Sequence, residues 1–379
     1  MKKNYLLTPG PTAVPPDVSL EMARPMIHHR TPVYMEVFKN VNDGLKKIFY
    51  TKNNVYVLTS SGTGAMEAAV VNLLSPGDTA LVVNAGKFGE RWGKLCEAYS
   101  INTIMINVEW GKAVNPEDIR KHLLENKQIK AVFTTLCETS TGVTTDIKTI
   151  GKIVKETEAI LIVDAISGLG AEEFRTDDWN VDAAIAGSQK ALMLPPGLAF
   201  IALSDKAWKL AEESKSPKFY YSLKKAKKSL VEEGQTPFTP AISLVIGLNK
   251  ALNMIQEEGL ENVITRHSKL GKAIREAAKV MGLELFAPGT PSNAVTPLKM
   301  PSGMDAGVLI KKLKSKYGVT IIGGQDHVKG KIIRIAHLGY MDLFDIIIVI
   351  SAIEMALVEM GYKLELGKGV GAAQKVLME

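Results

Sequence analysis

Ile160-Leu161-Ile162-Val163-Asp164-Ala165 and, further along, Ala186-Gly187-Ser188-Gln189-Lys190 are the stretches on which the reading of this chain turns. The first is a run of β-favouring apolar residues that ends on a carboxylate. Such a run, bounded by turn residues, suits a strand buried on both faces, as in a parallel sheet. A carboxylate at its end loses hydration unless a cation or several donors meet it. In an open parallel sheet that end is also where ligands bind. Asp164 could equally cap the loop that follows. Lys190 comes after the next apolar run and before Leu194-Pro195-Pro196-Gly197. If the two strands are parallel, Asp164 and Lys190 share one edge of the sheet. A desolvated lysine there falls below its usual pKa of ~10.4 and can act as nucleophile or proton carrier. The plainer alternative is a solvated surface lysine, the usual fate of the residue.

Outward from these stretches the chain alternates. Short apolar runs at Val55–Thr59, Ala80–Asn84, Ile104–Val108, Ala131–Leu136, Ile160–Asp164, Ala183–Ala186 and Ala199–Leu203 give seven strands. Helical patterns lie between several of them. Met66, Ala69, Val70, Leu73 and Leu74 recur at helical spacing until Pro76-Gly77, and Ile147, Ile150, Ile153 and Val154 repeat the pattern. Strands alternating with helices predict an α/β fold with a mostly parallel seven-stranded sheet covered on both faces. The turn-rich 194–197 link suggests that the last strand is an antiparallel edge. After Gly259 a long helical stretch (Leu260 to Met281) precedes shorter strands near Ala294–Leu298, Val319–Ile322 and Ile332–Ile335. A final helix over Leu343–Met360 is strongly apolar at its start and should be well buried. The division expected is an N-terminal arm (1–15), a large domain (16–258) and a smaller C-terminal α+β domain (259–379).

Bulk properties narrow the function classes. The net charge of +6 invites a nucleic-acid reading. Apart from Lys224-Lys225-Ala226-Lys227-Lys228 and Lys311 to Lys316, however, basic residues are interleaved with acids, with no basic tail or aromatic stripe. Nucleic acid is therefore not an expected partner. Two cysteines, Cys96 and Cys137, form neither a disulfide framework nor a metal knuckle, which points to a reducing compartment. The N-terminal residues lack the apolar core of a signal peptide, and no run approaches the ~18 apolar residues of a membrane span. A cytoplasmic location away from the membrane is the expectation.

Thr59-Ser60-Ser61-Gly62-Thr63-Gly64-Ala65-Met66-Glu67 stands between a strand and a helix. Small residues permit a tight turn, and the unpaired amides of the helix start favour a phosphate. The same residues would also serve as a plain helix cap. The pattern is neither a dinucleotide nor a Walker fingerprint. A phosphate cradle, a buried acid and a lysine after consecutive strands are together what a pyridoxal 5'-phosphate site requires. The cradle would hold the phosphate, Asp164 would keep the ring nitrogen protonated, and Lys190 would hold the aldehyde as an imine.

With these residues in place, the chain resembles the class V, fold-type I aminotransferases, in particular the alanine–glyoxylate and serine–pyruvate group and its archaeal-type aspartate relatives. The resemblance runs nearly end to end. It is carried by Leu7-Thr8-Pro9-Gly10-Pro11, Ser61-Gly62-Thr63-Gly64, Glu138-Thr139-Ser140-Thr141-Gly142, Val163-Asp164, Gly187-Ser188-Gln189-Lys190 and Arg334-Ile335-Ala336-His337-Leu338-Gly339. It implies that Lys190 and Asp164 are catalytic and that Ser61, Gly62, Thr63 and Gln189 hold the phosphate. Phe88 falls where relatives stack an aromatic ring on the cofactor, and Thr139 near the ring hydroxyl. Arg334 would bind the substrate carboxylate, helped by backbone near Gly10. Gln235-Thr236-Pro237-Phe238-Thr239-Pro240 resembles a segment that reaches the neighbouring subunit's phosphate, with Thr236 the favoured contact, which implies a homodimer with shared active sites.

The implied activity is transfer of an amino group from a small amino acid, alanine or serine, to glyoxylate or pyruvate. An aspartate enzyme using 2-oxoglutarate is the alternative, and would need a second cation such as Arg30 or a neighbouring histidine. A cysteine desulfurase is disfavoured because both cysteines precede Lys190. A non-catalytic protein on the same scaffold is disfavoured by the intact Asp164, Lys190 and Arg334. His28-His29-Arg30 is a poor chelate, since adjacent side chains diverge, and no metal site is expected.

Overall fold

The structure, a computed structural model, describes residues 3–379. The seven apolar runs become β1 (Val55–Ser60), β2 (Thr79–Asn84), β3 (Asn102–Asn107), β4 (Ile129–Thr135), β5 (Ile160–Asp164), β6 (Ala183–Gly187) and β7 (Gly197–Leu203). They form one sheet in the order β1-β7-β6-β5-β4-β2-β3. Neighbours pair in parallel except around β7, which runs antiparallel to both β6 and β1. The expectation for β7 was thus half right. The 188–196 link does fold it back beside β6, but β1 covers its other side, so β7 is interior. Six of its seven residues are buried. The edges are β1 and β3.

The period of two along each strand divides the core. On β5, Leu161 and Val163 join one apolar layer while Ile160 and Ile162 join the other. The second layer is completed by Ala65, Met66, Ala69 and Val70 of helix Gly62–Leu73 and by Trp92 and Cys96 of helix Lys87–Ala98. Asp164 continues the row of Ile160 and Ile162, so the alternation that buries those two aims the carboxyl at the start of these helices.

Connections leave β2 toward β3 and leave β4 toward β5, in opposite directions. The reversal opens a crevice at the carboxyl ends of β2 and β4, the place where such sheets bind ligands.

A smaller sheet holds β8 (Val295–Lys299), β9 (Ile322–Gly323) and β10 (Ile332–Ala336) in the order β8-β10-β9, all antiparallel. Helices Leu260–Val280, Leu343–Glu359 and Lys368–Met378 share its apolar cluster. In helix Leu343–Glu359 burial begins at Ile346, whereas Leu343 and Phe344 are exposed. They belong to the first turn, outside the packed face, where Asp342 and Asp345 form a capping box. The N-terminal segment is tied to this part of the molecule. Tyr5–Leu6 pairs in parallel with Val319–Thr320, and the Leu7 carbonyl accepts from the Ala336 amide at 3.0 Å. No helix among the described residues is long and apolar enough to cross a membrane.

Candidate active site

All strands of the large sheet except β7 end at one carboxyl edge, and the candidate residues lie along it. Lys190 follows β6 in a short turn that the N-terminal segment covers. The Thr12 amide donates to the Gln189 carbonyl (3.2 Å), the Thr12 hydroxyl donates to the Lys190 carbonyl (2.9 Å), and Lys190 Nζ donates to the Pro9 carbonyl. Gly10 lies directly against the lysine. With φ at +142°, and with Lys190 occupying the space a side chain would need, only glycine suits the position. Burial lowers the Lys190 amine to about 8, with the Asp164 charge pulling the other way.

Asp164 is buried and accepts from the Ile166 amide at 2.8 Å. Burial raises its carboxyl to about 7, against that hydrogen bond. One donor leaves most of a carboxylate's acceptor capacity open. In helix Gly62–Leu73, Ser61 occupies the N-cap position but its side chain makes no capping bond. The amides of Gly62 and Thr63 donate to no acceptor among the described residues. A plain capping role for Ser61 is therefore not what the structure contains. Gly62 has no room for a side chain, because Ile166 fills it, and this brings the open helix start against the Asp164 turn. The buried amide oxygen of Gln189 also lacks a partner.

Arg334, on β10, is buried and donates to the carbonyls of Gly323 (2.9 Å) and Thr139 (3.0 Å). None of the ion pairs among the described residues includes it. Desolvation lowers its guanidinium to about 10. Thr139 turns its hydroxyl to Ser167 Oγ at 2.6 Å.

A class-V aminotransferase family model matches residues 4–341. The chain belongs to that family. This class-V aminotransferase is 41% identical over 379 residues to a protein of Synechococcus sp. (strain PCC 6716) called soluble hydrogenase, small subunit, covering 99% of this chain and 98% of the relative. It is 36% identical to the serine–glyoxylate aminotransferase of Methylorubrum extorquens, covering 100% and 96%. It is 34% identical to the L-aspartate–glyoxylate aminotransferase of Paracoccus denitrificans, covering 98% and 96%. The crystal structure of ureidoglycine–glyoxylate aminotransferase from Bacillus subtilis superposes with a TM-score of 0.96 at 29% identity, over 100% of this chain and 99% of that one.

As a class-V aminotransferase the protein is an enzyme that uses pyridoxal 5'-phosphate. Its residues fit the cofactor on three observations. The helix start offers two free amides, the buried amine of Lys190 has no carboxylate within ion-pair distance, and Asp164 keeps unused acceptor capacity.

Two further residues of this aminotransferase were given no role by the sequence. Glu138 is buried after β4 and accepts from the amides of Phe88 (3.1 Å), Gly89 (3.0 Å) and Ser140 (3.2 Å). It ties the start of helix Lys87–Ala98, which follows β2, to the loop after β4, beside the crevice at the strand reversal. Its signal was an acid set among apolar and hydroxyl residues in Leu136-Cys137-Glu138-Thr139-Ser140. Arg91 lies one helical turn beyond Phe88, with its guanidinium carbon 4.8 Å from the Phe88 ring centre. Its Nη1 donates to Thr63 Oγ1 at 3.0 Å.

Thr236 is not brought to the cradle of its own chain. Its hydroxyl donates to the Phe238 carbonyl (2.7 Å), and its own carbonyl accepts from Arg30 (3.2 Å). The rings of His28 and His29 lie tilted at 38° to each other with centres 4.7 Å apart, and no group of metal-ligating side chains occurs among the described residues.

Proposed function

We propose that the enzyme moves the amino group of alanine or serine to glyoxylate, or to pyruvate, at a site built from Lys190, Asp164, Arg334 and the 61–63 cradle. The observation that carries this reading is Arg334: a buried, hydrogen-bonded guanidinium with no carboxylate of its own. A buried cation with no ion-pair partner, helped only by the charge of Glu138, is stabilised by an incoming α-carboxylate, which its planar fork binds with two bonds. Relatives that differ in donor share glyoxylate as acceptor, which supports the acceptor assignment. An aspartate donor would need a second free cation. Arg30 already donates to Gln235 and to the Thr236 carbonyl and lies 3.8 Å from Glu233, which weighs against it in that role.

When bound, the cofactor supplies the electron sink for the pair left behind when the substrate Cα gives up its proton. Ser61, Gly62, Thr63 and Gln189 would hold its phosphate, and Phe88 and Thr139 would border its ring. Asp164 would keep a proton on the ring nitrogen. Lys190 would hold the aldehyde, and its Nζ is the base that would take the proton from the substrate Cα and return it. Gly10 and the Pro9 carbonyl close the substrate space over the lysine. Thr236 would complete the phosphate site of a second copy, so the working unit is a homodimer. The arm, large and small domains (1–15, 16–258 and 259–379) would be its structural units.

Borohydride reduction of the loaded protein, followed by peptide mapping, tests the site; the expected label is on Lys190. Lys190→Ala should remain folded and lose transamination. A panel of donors and acceptors tests the substrates, and aspartate outpacing both alanine and serine would overturn the donor assignment.

A further inference from the structure

The cradle at 61–63 offers amides and hydroxyls, all neutral, to a phosphate that carries up to two negative charges. The cation bonded to it is Arg91, half-buried on helix Lys87–Ala98. Among the described residues Arg91 pairs with no carboxylate. Its helical neighbour Glu90 is engaged by Lys87 (2.7 Å) and Lys94 (2.5 Å).

Two contacts define what Arg91 does. Its Nη1–H occupies a lone pair of Thr63 Oγ1 at 3.0 Å. A threonine hydroxyl has one proton to donate, and guanidinium has no acceptor to receive it. The Thr63 O–H is thus turned away from Arg91 and left to donate elsewhere. The second contact is with Phe88, three residues earlier on the same helix face, whose ring the guanidinium overlies at 4.8 Å. Phe88 is also pinned through its amide by Glu138. One side chain therefore holds both the hydroxyl at the helix start and the ring at the crevice.

We propose that Arg91 is a positioning residue for the cofactor phosphate: it sets Thr63 as a hydrogen-bond donor toward that phosphate and braces Phe88 beside it. This rests on the cradle assignment made above. The test compares binding of pyridoxal 5'-phosphate with binding of pyridoxal, which lacks the phosphate, to the cofactor-stripped full-length protein. Wild type, Arg91→Ala, Arg91→Lys, Thr63→Val and the Arg91→Ala/Thr63→Val double variant are measured by absorbance titration. Arg91→Ala should weaken the phosphate-bearing form about 10- to 100-fold, the scale of one charge-assisted bond, and change pyridoxal binding less than about 3-fold. The double variant should lose little beyond the worse single variant, because the two residues act through one hydroxyl. Arg91→Lys keeps the charge and the fold without the planar fork, and should recover part of the phosphate preference.

Equal loss for both compounds would make Arg91 a scaffold residue and overturn the proposal. Fully multiplicative losses in the double variant would overturn the route through Thr63. If the wild type itself shows no preference for the phosphate-bearing form, the cradle assignment falls, and this inference falls with it.

Discussion

Replacing Asp164 by asparagine should stabilise the cofactor-free protein while disabling the enzyme, and the two effects have separate physical origins. Burial raises this carboxyl from 3.8 to about 7. The folded chain thus keeps a proton that the unfolded chain releases, so stability falls as pH rises from ~4 and levels off above ~7. The full cost of ionising the buried group is about 4 kcal/mol, of which some 2–3 kcal/mol accrues between pH 5 and pH 8. Asparagine stays neutral, and its side-chain oxygen can still accept from the Ile166 amide. The variant's advantage should accordingly widen with pH. At ~2.1 cal/mol/K per residue, the 379-residue chain gains roughly 3 °C in melting temperature relative to wild type on going from pH 5 to pH 8. Thermal melts of stripped protein at several pH values read this out. The activity arm runs the other way. Asparagine offers no charge to hold the ring-nitrogen proton, and turnover should drop by ~10²-fold or more, as when one preorganised electrostatic partner is removed. A melting gap that stays flat with pH would refute the desolvation reasoning. Retained turnover would remove Asp164 from the chemistry.

Burial lowers the Lys190 amine to about 8. Because only the free amine attacks the aldehyde, cofactor uptake by stripped protein should accelerate through pH 8 and level off above ~9; a stopped-flow midpoint above 10 would show an ordinary solvated lysine. Arg334→Lys keeps a charge but loses the fork and the bonds to Gly323 and Thr139. Its kcat/KM for the amino donor should fall by about 10²-fold through KM, with cofactor affinity unchanged, and steady-state kinetics beside a cofactor titration separate the two.

What could be read from the chain was local and periodic. Strand β5 was legible to the residue because an apolar run ended on a charge. The alternation of strands and helices implied a parallel sheet, and from that followed the shared edge of Asp164 and Lys190. The interior position of β7 was not legible. A Pro-Pro-Gly link reports that the chain turns back, whereas the strand on the far side is chosen by β1, well over a hundred residues earlier. Helix Leu343–Glu359 failed at its first turn for a related reason: composition marks a helix as apolar, but only packing decides which turn is covered. The roles of Glu138 and Arg91 were not legible because their partners, the 88–89 amides and Thr63, are distant in sequence. Thr236 is a different case, since the contact implied for it lies on another copy of the chain.

The two halves of the site come from different sheets, and this bears on how the enzyme selects its substrate. Lys190, Asp164 and the cradle belong to the large sheet, while Arg334 belongs to the small one. Arg334 reaches across to the Thr139 carbonyl, and Thr139 sits next to Glu138, which anchors Phe88. The N-terminal segment spans the same gap, with Leu7 bonded to β10 and Pro9 and Thr12 on Lys190. Any movement of the small sheet that repositions Arg334 must also disturb the 138–139 loop that holds Phe88 and the cover over the lysine. The proposed binding of a substrate carboxylate at Arg334 would thereby be coupled to the geometry at Lys190, and binding energy from the unreactive end of the substrate could be used at the reacting carbon.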